Sequence, residues 1–515
     1  MFLREVRMLA RAFGAVLHGV DATLVTVEVD LSSGLPAFTV VGLPDATVQE
    51  ARDRVRGAII HSGRDYPMCR ITANLAPSDV RKQGSGLDLV LAIGILVADG
   101  KAPAQGLDGR LFCGELGLSG DVRPIRGALQ VAETAAAGGV REVVCPAANA
   151  EEAALAGLPA VGVRTLREAL DVLRGQGPTP TIADPSAFLT AQPPASFDIA
   201  QIRDQDRAKR VLEIAAAGGH NVLFSGPPGS GKTLLARALP GILPPLTLAE
   251  ALQVTRIHSA VGLLPAGEPL VRTRPFRAPH HGVSAAGMVG GGSSWTRPGE
   301  VTLAHRGVLM MDEFPEFPRS VLEALRQPLE DGVVTITRAR QTSTYPARFI
   351  LVAAMNPCPC GHLGTERPCR CPPRTLQIYR QRVSGPLLDR IDLHVSVGRV
   401  DAAELLCRED VSRSAEVRER VTAARAAGAS RHTRWNATCN AEIPHRALLR
   451  TCGLDEGSGA VLTRAANRYR LSARSVHRVL RVARTIADLD SREPVGRDDV
   501  LEALTYRLAE REEHP

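Results

Sequence analysis

The segment Gly226-Pro-Pro-Gly-Ser-Gly-Lys-Thr233 decides how the rest of this 515-residue chain is interpreted. Its spacing, G-x-x-x-x-G-K-T, is that of a phosphate-binding P-loop. The apolar run 221–224 before it predicts a buried strand, and 234–239 after it predicts the first turns of a helix. In that setting backbone N–H groups wrap a phosphate at the positive end of the helix. A glycine-rich turn without a ligand is the alternative, and the complete pattern with both flanks disfavours it.

The P-loop pattern assigns a role to each of its polar side chains. Lys232 reaches the β- and γ-phosphates, and the Thr233 hydroxyl binds Mg²⁺. ATP and Mg²⁺ are therefore the expected cofactors. The predicted nucleotide-binding residues are Gly226, Pro227, Pro228, Gly229, Ser230, Gly231, Lys232, Thr233 and Asp312.

A second motif, Gly307-Val-Leu-Met-Met-Asp312-Glu313, has four apolar residues followed by two acids, which is the Walker B form. A parallel strand of this kind buries its apolar residues and leaves the acids at its carboxyl end, beside the phosphates. Asp312 is predicted to hold Mg²⁺ through water and Glu313 to polarise the attacking water. A strand that merely ends in an acidic turn is the alternative.

A hairpin and a further strand follow. Residues 333–350 predict a β-hairpin with Arg338 and Arg340 near its tip, which suits contact with a nucleic-acid backbone. A solvated basic turn is an equal alternative. The next buried run ends at Asn356, in the place of a sensor that positions water or the γ-phosphate.

Four cysteines then stand within 14 positions: Cys358, Cys360, Cys369 and Cys371. Four thiolates so close together suit a tetrahedral structural Zn²⁺, although C-x-C spacing is tighter than the usual C-x₂-C. His362 is an alternative ligand. Four reduced cysteines or a redox pair are the other interpretations.

Arginines mark the remaining candidate positions. Arg390, at the end of Leu-Leu-Asp-Arg, is predicted to act as an arginine finger toward a neighbouring subunit, with a surface salt bridge as the alternative. The basic region from 401 onward predicts a helical lid. Arg474, in the first turn of a lid helix capped by Ser472, is a candidate phosphate sensor, and Arg478 is its rival. The insert 257–300 contains His280 and His281, for which a structural or ligand-contact role is favoured over metal binding.

The N-terminal part predicts a separate α+β domain. Strands are expected at 22–30 and 71–74, helices at 45–62 and 86–98, and a surface helix at 130–138. The segments 82–88 and 114–128 resemble the two halves of the Lon protease domain. No lysine stands where that domain has its catalytic lysine, because the chain there has Arg126-Gly-Ala-Leu-Gln130, and Ser85 lies one place out of register. Peptidase activity is therefore not expected.

Composition limits the setting of the protein. The net charge of +7 permits a polyanionic partner without proving one. The ten cysteines form one cluster and scattered singles, which predicts a reducing compartment. Residues 1–17 have no continuous apolar core of signal-peptide type, and the longest apolar run, 89–98, is too short to span a bilayer. A cytoplasmic protein without membrane association is expected.

Taken in order, these motifs resemble the magnesium-chelatase-like AAA+ ATPases, and most closely the ComM/YifB branch. The branch resemblance is carried by the segments 215–221, 276–281, 355–361 and 479–486. It implies an α/β fold with residues 1–175 as an inactive Lon-like domain (related to the S5 domain 2 fold), 176–197 as a proline-rich linker, 198–400 as the ATPase core and 401–515 as the lid.

The resemblance also implies a function. It indicates a ring-forming, hexameric, DNA-dependent ATPase, of the kind in which ComM-like helicases drive branch migration during natural transformation. It also implies that Arg338 contacts DNA and that Arg390 is the finger. With the residues assigned above, the predicted DNA contacts are Arg338 and Arg340, and the predicted catalytic set is Glu313, Asn356, Arg390 and Arg474. A motor subunit of a metal-inserting chelatase and an ATP-driven protein remodeller are the alternatives.

Overall fold

The computed structural model describes residues 9–189, 197–265, 267–292, 297–338, 341–365, 367–399, 413–435 and 437–512. Most of the predicted linker's second half, Arg340 and the first residues of the predicted lid lie outside these ranges. The chain divides into two compact units. The first unit comprises Met1–Ala191, Leu248–Val271 and Ser293–Arg297, and the second comprises Gln192–Thr247, Arg272–Gly292 and Pro298–Pro515. No helix among the described residues is long and apolar enough to cross a membrane.

A seven-stranded mixed sheet, in the order β3-β4-β2-β1-β5-β8-β9, lies at the centre of the first unit. Val25, Val27 and Val29 are buried on one face of β2, as the predicted alternation requires. The strands are β1 Ala10–His18, β2 Asp21–Ser32, β3 Ala37–Val41, β4 Arg70–Ala76, β5 Arg110–Phe112, β6 Glu115–Leu116, β7 Val122–Arg123, β8 Glu142–Pro146 and β9 Ala160–Val163. The helices are Ala46–His61, Asp88–Ala98, Ala128–Ala137, Ala150–Ala154 and Leu166–Leu173, with the additional helix Leu248–Val261.

That additional helix, Leu248–Val261, is here named the docking helix. Its Ser259 Oγ accepts a hydrogen bond from the Gly127 amide at 3.0 Å and contacts the Glu152 carboxylate. The Gln130 side chain donates to the Arg256 carbonyl at 2.7 Å. These contacts cover the N-terminal half of helix Ala128–Ala137, where Gln130 and Val131 are buried, whereas Ala136 and Ala137 are exposed. The surface helix predicted over 130–138 is therefore exposed mainly in its second half. The docking helix, more than 100 residues away in the sequence, covers the N-terminal half, and the periodicity of residues 128–137 cannot predict so distant a contact.

A five-stranded parallel sheet, in the order β11-β14-β17-β10-β18, organises the second unit. Its central strands are wholly apolar or nearly so, as expected for a sheet covered on both faces. The strands of this unit, with β13 at its boundary, are β10 Val222–Ser225, β11 Phe276–Arg277, β12 Gly290–Gly291, β13 Arg297–Pro298, β14 Val308–Met311, β15 Val333–Arg338, β16 Gln341–Pro346, β17 Ile350–Met355 and β18 Leu393–Ser396.

Helices make up most of the remainder of the second unit. Those of the sheet region are Asp206–Gly218, Lys232–Ile242, Ala285–Val289, Glu300–Leu303, Arg319–Ala324, Arg326–Asp331, Pro373–Gln381 and Gly385–Leu388. Those of the C-terminal region are Ser414–Arg434, His445–Cys452, Glu456–Arg468, Ala473–Leu489 and Arg497–Glu512. Helix Ala473–Leu489 begins at an N-cap, Ser472, whose side chain accepts from the Ser475 amide. Its apolar face belongs to the same buried cluster as the helix that follows the P-loop.

Candidate nucleotide-binding site

The P-loop has the strand, loop and helix that its sequence predicts. It runs from the buried strand β10 into helix Lys232–Ile242. Gly229 and Gly231 have φ values of 79° and 84°, in the left-handed region that favours glycine. At Gly226 a side chain would meet the Val397 carbonyl oxygen at 2.2 Å, so only glycine lets the two backbones approach there.

Lys232 is buried and turned back over the loop. Its Nζ donates to the carbonyl oxygens of Gly226 and Pro227 at 2.7 and 2.8 Å, and it lies 3.4 Å from Asn356 Oδ1. Burial lowers the pKa of the Lys232 ammonium, and the charge of Asp312 partly offsets this. The lysine is therefore held by the loop that it would serve in phosphate binding.

The two predicted magnesium residues meet directly. The Thr233 hydroxyl donates to Asp312 Oδ2 at 2.8 Å. Strands β14, β17 and β10 are parallel neighbours, so Asp312, Asn356 and Gly226, which follow them, all emerge at the same edge of the sheet. A hydroxyl and a carboxylate are hard oxygen ligands of the kind that Mg²⁺ prefers, so this pair fits the ion.

Glu313 has a partner that the sequence did not identify. Its backbone adopts a left-handed φ of 50°, uncommon outside glycine and often found at functional sites. His281 Nδ1 lies 3.0 Å from Glu313 Oε2, and the His281 ring also meets Phe317 edge-on at 6.4 Å between centroids. The adjacent His280–His281 pair marked this segment as a candidate contact site in the sequence. Nothing in the sequence nearby identifies Glu313, 32 positions later, as the partner of His281.

Glu330, a half-exposed residue at the end of a short helix, is paired with one arginine and lies within the electrostatic influence of two others. Arg390, whose side chain is 9% exposed, forms an ion pair with it. The hydrogen bond from Arg390 lowers the pKa of Glu330, and the charges of Arg474 and Arg478 act in the same direction. Arg390 therefore contacts Glu330, and Arg474, more than 80 residues later in the sequence, lies near enough for its charge to act on the same carboxylate.

Arg478, the alternative candidate for the phosphate sensor, makes different contacts. It donates to Asp392 Oδ1 at 2.5 Å and to the Arg390 carbonyl at 3.1 Å. Asp392 is buried and also accepts from the Asn221 amide and contacts His220, each at 3.3 Å. Burial raises the pKa of Asp392, but the charge of Arg478 and the hydrogen bond with His220 lower it far below its ordinary range. Arg478 thus ties its helix to the residue that precedes β18, whereas Arg474 is exposed.

The four cysteine thiols converge. Cys358 Sγ lies 3.3 Å from Cys360 Sγ, and Cys369 Sγ lies 3.7 Å from each of them. With Cys371, the four sulfur atoms all lie within 4.8 Å of one another. Backbone N–H groups of Arg370 and His362 donate to Cys360 and lower the pKa of its thiol to about 6. The buried His362 Nδ1 has no hydrogen-bond partner among the described residues.

The basic hairpin is formed by β15 and β16, which pair antiparallel from Val333 opposite Pro346 to Arg338 opposite Gln341. Arg338 ends the first strand, and Arg340 lies outside the described residues. In the first unit, the Ser85 hydroxyl contacts the Glu115 carboxylate, and the buried Lys82 Nζ contacts the Pro77 carbonyl. In the segment 126–130, where the Lon pattern predicts a lysine, Leu129 is buried and its amide donates to Glu152 at 3.0 Å.

A parallel sheet with a P-loop, an adjoining Walker B acid pair and a helical C-terminal region defines an AAA+ ATPase. Residues 198–405 match the family of magnesium chelatase subunit ChlI, 27–149 match a second ChlI family, and 411–507 match the ChlI C-terminal family. The magnesium-chelatase 38 kDa subunit of Rhodobacter capsulatus is 28% identical over 196 residues, which cover 33% of this chain and 55% of that subunit.

Other relatives match nearly the whole chain. The competence protein ComM of Haemophilus influenzae is 42% identical over 504 residues, which cover 97% of each protein. The uncharacterized protein YifB of Escherichia coli is 42% identical over 500 residues, which cover 96% of each. The chain therefore belongs to the ComM/YifB family of magnesium-chelatase-like AAA+ ATPases.

Proposed function

We propose that this protein is an ATP-driven DNA motor, a helicase or branch-migration factor of the ComM type that acts on recombining DNA in the cytoplasm during natural transformation. The observation that carries the proposal is the basic hairpin β15–β16, which belongs to the same compact unit as the P-loop and the Walker B acids. Its 14 residues, 333–346, include two arginines and no acid. A two-stranded ribbon of that charge suits contact with a phosphate backbone. The name of the Haemophilus relative, a competence protein, agrees with it.

The test is ATP hydrolysis with and without single-stranded and branched DNA, at low salt where phosphate contacts are strongest. We expect DNA to raise the turnover of the wild type and Arg338→Ala to lose that stimulation. Arg497→Ala, which removes an exposed arginine from the C-terminal region, is the matched control and should be stimulated as the wild type is. An absence of stimulation in the wild type would rule out the DNA motor and favour the protein remodeller.

We further propose that the active sites are shared between subunits of a hexameric ring. Arg390 pairs with Glu330, and the charge of Arg474 acts on the same carboxylate, whereas Lys232 donates to its own loop and lies 3.4 Å from Asn356. The two arginines are therefore assigned to the ATP of the neighbouring subunit, with Arg390 as the finger. Glu313 activates water and Asn356 helps to position it.

Mixing two inactive variants tests the shared site. Lys232→Ala subunits lack a working P-loop but retain Arg390, and Arg390→Ala subunits have the opposite defect. At equal random mixing, about a quarter of the interfaces combine an intact P-loop with an intact finger, so about a quarter of the wild-type rate should return. If Arg390 acts within its own chain, the mixture will stay inactive.

We also propose that the four cysteines hold a structural Zn²⁺. A tetrahedral site with Zn–S bonds near 2.3 Å has sulfur–sulfur separations of about 3.8 Å. The separations of 3.3, 3.7 and 3.7 Å fit that geometry. Metal analysis of the purified protein should find one zinc per chain, and Cys369→Ser should lose it. Retention of zinc by that variant would point to His362 as the completing ligand.

A further inference from the structure

The cysteine segment is joined directly to a sensor residue of the nucleotide site. Cys358 stands two positions after Asn356 and is fully buried. The Asn356 carbonyl oxygen accepts a hydrogen bond from the Tyr379 hydroxyl at 3.1 Å. Tyr379 belongs to helix Pro373–Gln381, which begins just after Cys371. The backbone of Asn356 is therefore connected to both ends of the cysteine segment: directly to Cys358 through the chain, and through Tyr379 to the helix that follows Cys371.

The same segment also touches the P-loop. Gly361 has a left-handed φ of 78°, and a Cβ placed on it would lie 2.5 Å from Pro228 Cδ and 2.8 Å from Pro228 Cγ. The backbone of the cysteine segment therefore packs against the ring of Pro228, inside the phosphate-binding loop. Between Cys358 and Cys371 the described residues form no helix or strand, so few backbone contacts maintain this packing.

We propose that the metal bound by the four cysteines braces the ATP site: it holds Gly361 against Pro228 and Asn356 beside Lys232, so that metal occupancy sets the affinity for ATP. This inference rests on the proposed zinc and ATP sites. A structural metal supplies folding energy to a segment that lacks other cross-links, and its removal releases that segment. When Gly361 moves away, the P-loop loses its packing against the cysteine segment, and its backbone N–H groups are no longer held in place to donate to phosphate.

Two glycines of the segment provide a matched pair of variants. Gly361 and Gly364 both have left-handed φ values, 78° and 74°, so alanine introduces similar backbone strain at each. A Cβ on Gly364 meets no atom of the described residues within 4 Å, whereas a Cβ on Gly361 collides with Pro228. Any difference between the two variants therefore reports the contact with the P-loop.

The experiment measures the affinity for a fluorescent ATP analogue together with zinc content. We expect Gly361→Ala to retain its zinc and to bind the analogue about tenfold more weakly, because the added methyl displaces the loop. Gly364→Ala should stay within about twofold of the wild type. Equal affinities of the two variants would overturn the inference.

Metal removal provides the second arm. Zinc is stripped from the full-length wild type with an organomercurial and a chelator, and affinity is measured before stripping, after it and after zinc is restored. A reversible loss of about tenfold supports the brace, and an unchanged affinity in the stripped protein refutes it. If the purified protein holds no zinc, the proposed zinc site is refuted, and so is the proposal that the metal braces the ATP site. If the zinc-loaded wild type does not bind the analogue, the proposed ATP site fails instead.

Discussion

The substitution Asp392→Asn tests whether Arg478 fastens the helix Ala473–Leu489 to the parallel sheet. Asp392 is 4% exposed and Arg478 17% exposed, so their ion pair is largely removed from water. The substitution keeps the volume of the side chain and removes its charge. It leaves the guanidinium of Arg478 with a neutral partner in a buried setting.

The expected loss follows from that burial. Breaking a buried ion pair by removing one charge costs about 3–5 kcal/mol, because the remaining charge stays desolvated. The asparagine oxygen can still accept from the Asn221 amide, so we expect the lower end, about 3 kcal/mol. For a unit of this size, about 2–3 °C of melting temperature corresponds to each kcal/mol, which gives a decrease of about 6–9 °C.

The assay follows thermal unfolding by the fluorescence of Trp435, in a Trp295→Phe background that leaves it as the single tryptophan of the chain. Asp490→Asn is the control, since Asp490 is 42% exposed and pairs with the exposed Arg492. Loss of an exposed pair costs under about 1 kcal/mol. A decrease for Asp392→Asn no larger than that of the control would refute the role of Arg478.

The pH dependence of the same two proteins provides an independent check. The folded pKa of Asp392 is lowered, so its stabilising contribution is fully present above the unfolded pKa of about 3.9 and is lost as pH falls toward the folded pKa. The difference in melting temperature should therefore stay constant from pH 8 to pH 5 and shrink below pH 4. A difference that changes between pH 8 and pH 5 would assign the effect to another group.

Glu313→Gln should lower turnover by about 10²–10⁴-fold while ATP affinity stays within about twofold, because the amide cannot accept a proton from water; a weakened affinity instead would place Glu313 in binding. His281→Ala removes the observed contact with Glu313 and should change turnover by up to about fivefold without changing affinity, because both side chains are exposed; an unchanged turnover would make the contact incidental. Ser259→Ala leaves the Gly127 amide and the Glu152 carboxylate without their hydroxyl partner and should destabilise the first unit by about 1–2 kcal/mol. Hydrogen exchange of helix 128–137 measures this last effect, and unaltered protection would show that the docking helix is not needed there.

The sequence by itself determined the parts of the site that are written in contiguous residues. The P-loop, the Walker B acids and the cysteine group are each recognisable because strand, turn and ligand spacing lie within a few positions of one another. The rule that parallel strands end at one edge of the sheet predicted that the Walker B acids would lie beside the P-loop. Asp312 meets Thr233, and Asn356, at the end of the neighbouring strand, lies near Lys232.

Only the tertiary structure decided the pairings between distant segments. Arg478 meets Asp392 across 86 positions, His281 meets Glu313, Gly361 meets Pro228, and the docking helix covers half of a helix predicted to face water. None of these contacts has a local signal, because side-chain identity at one position places few limits on a partner far along the chain. Packing of the whole fold decides such contacts. The contact with Asp392 distinguishes the structural role of Arg478 from the exposed position of Arg474, and the contact with Pro228 places the cysteine segment against the P-loop.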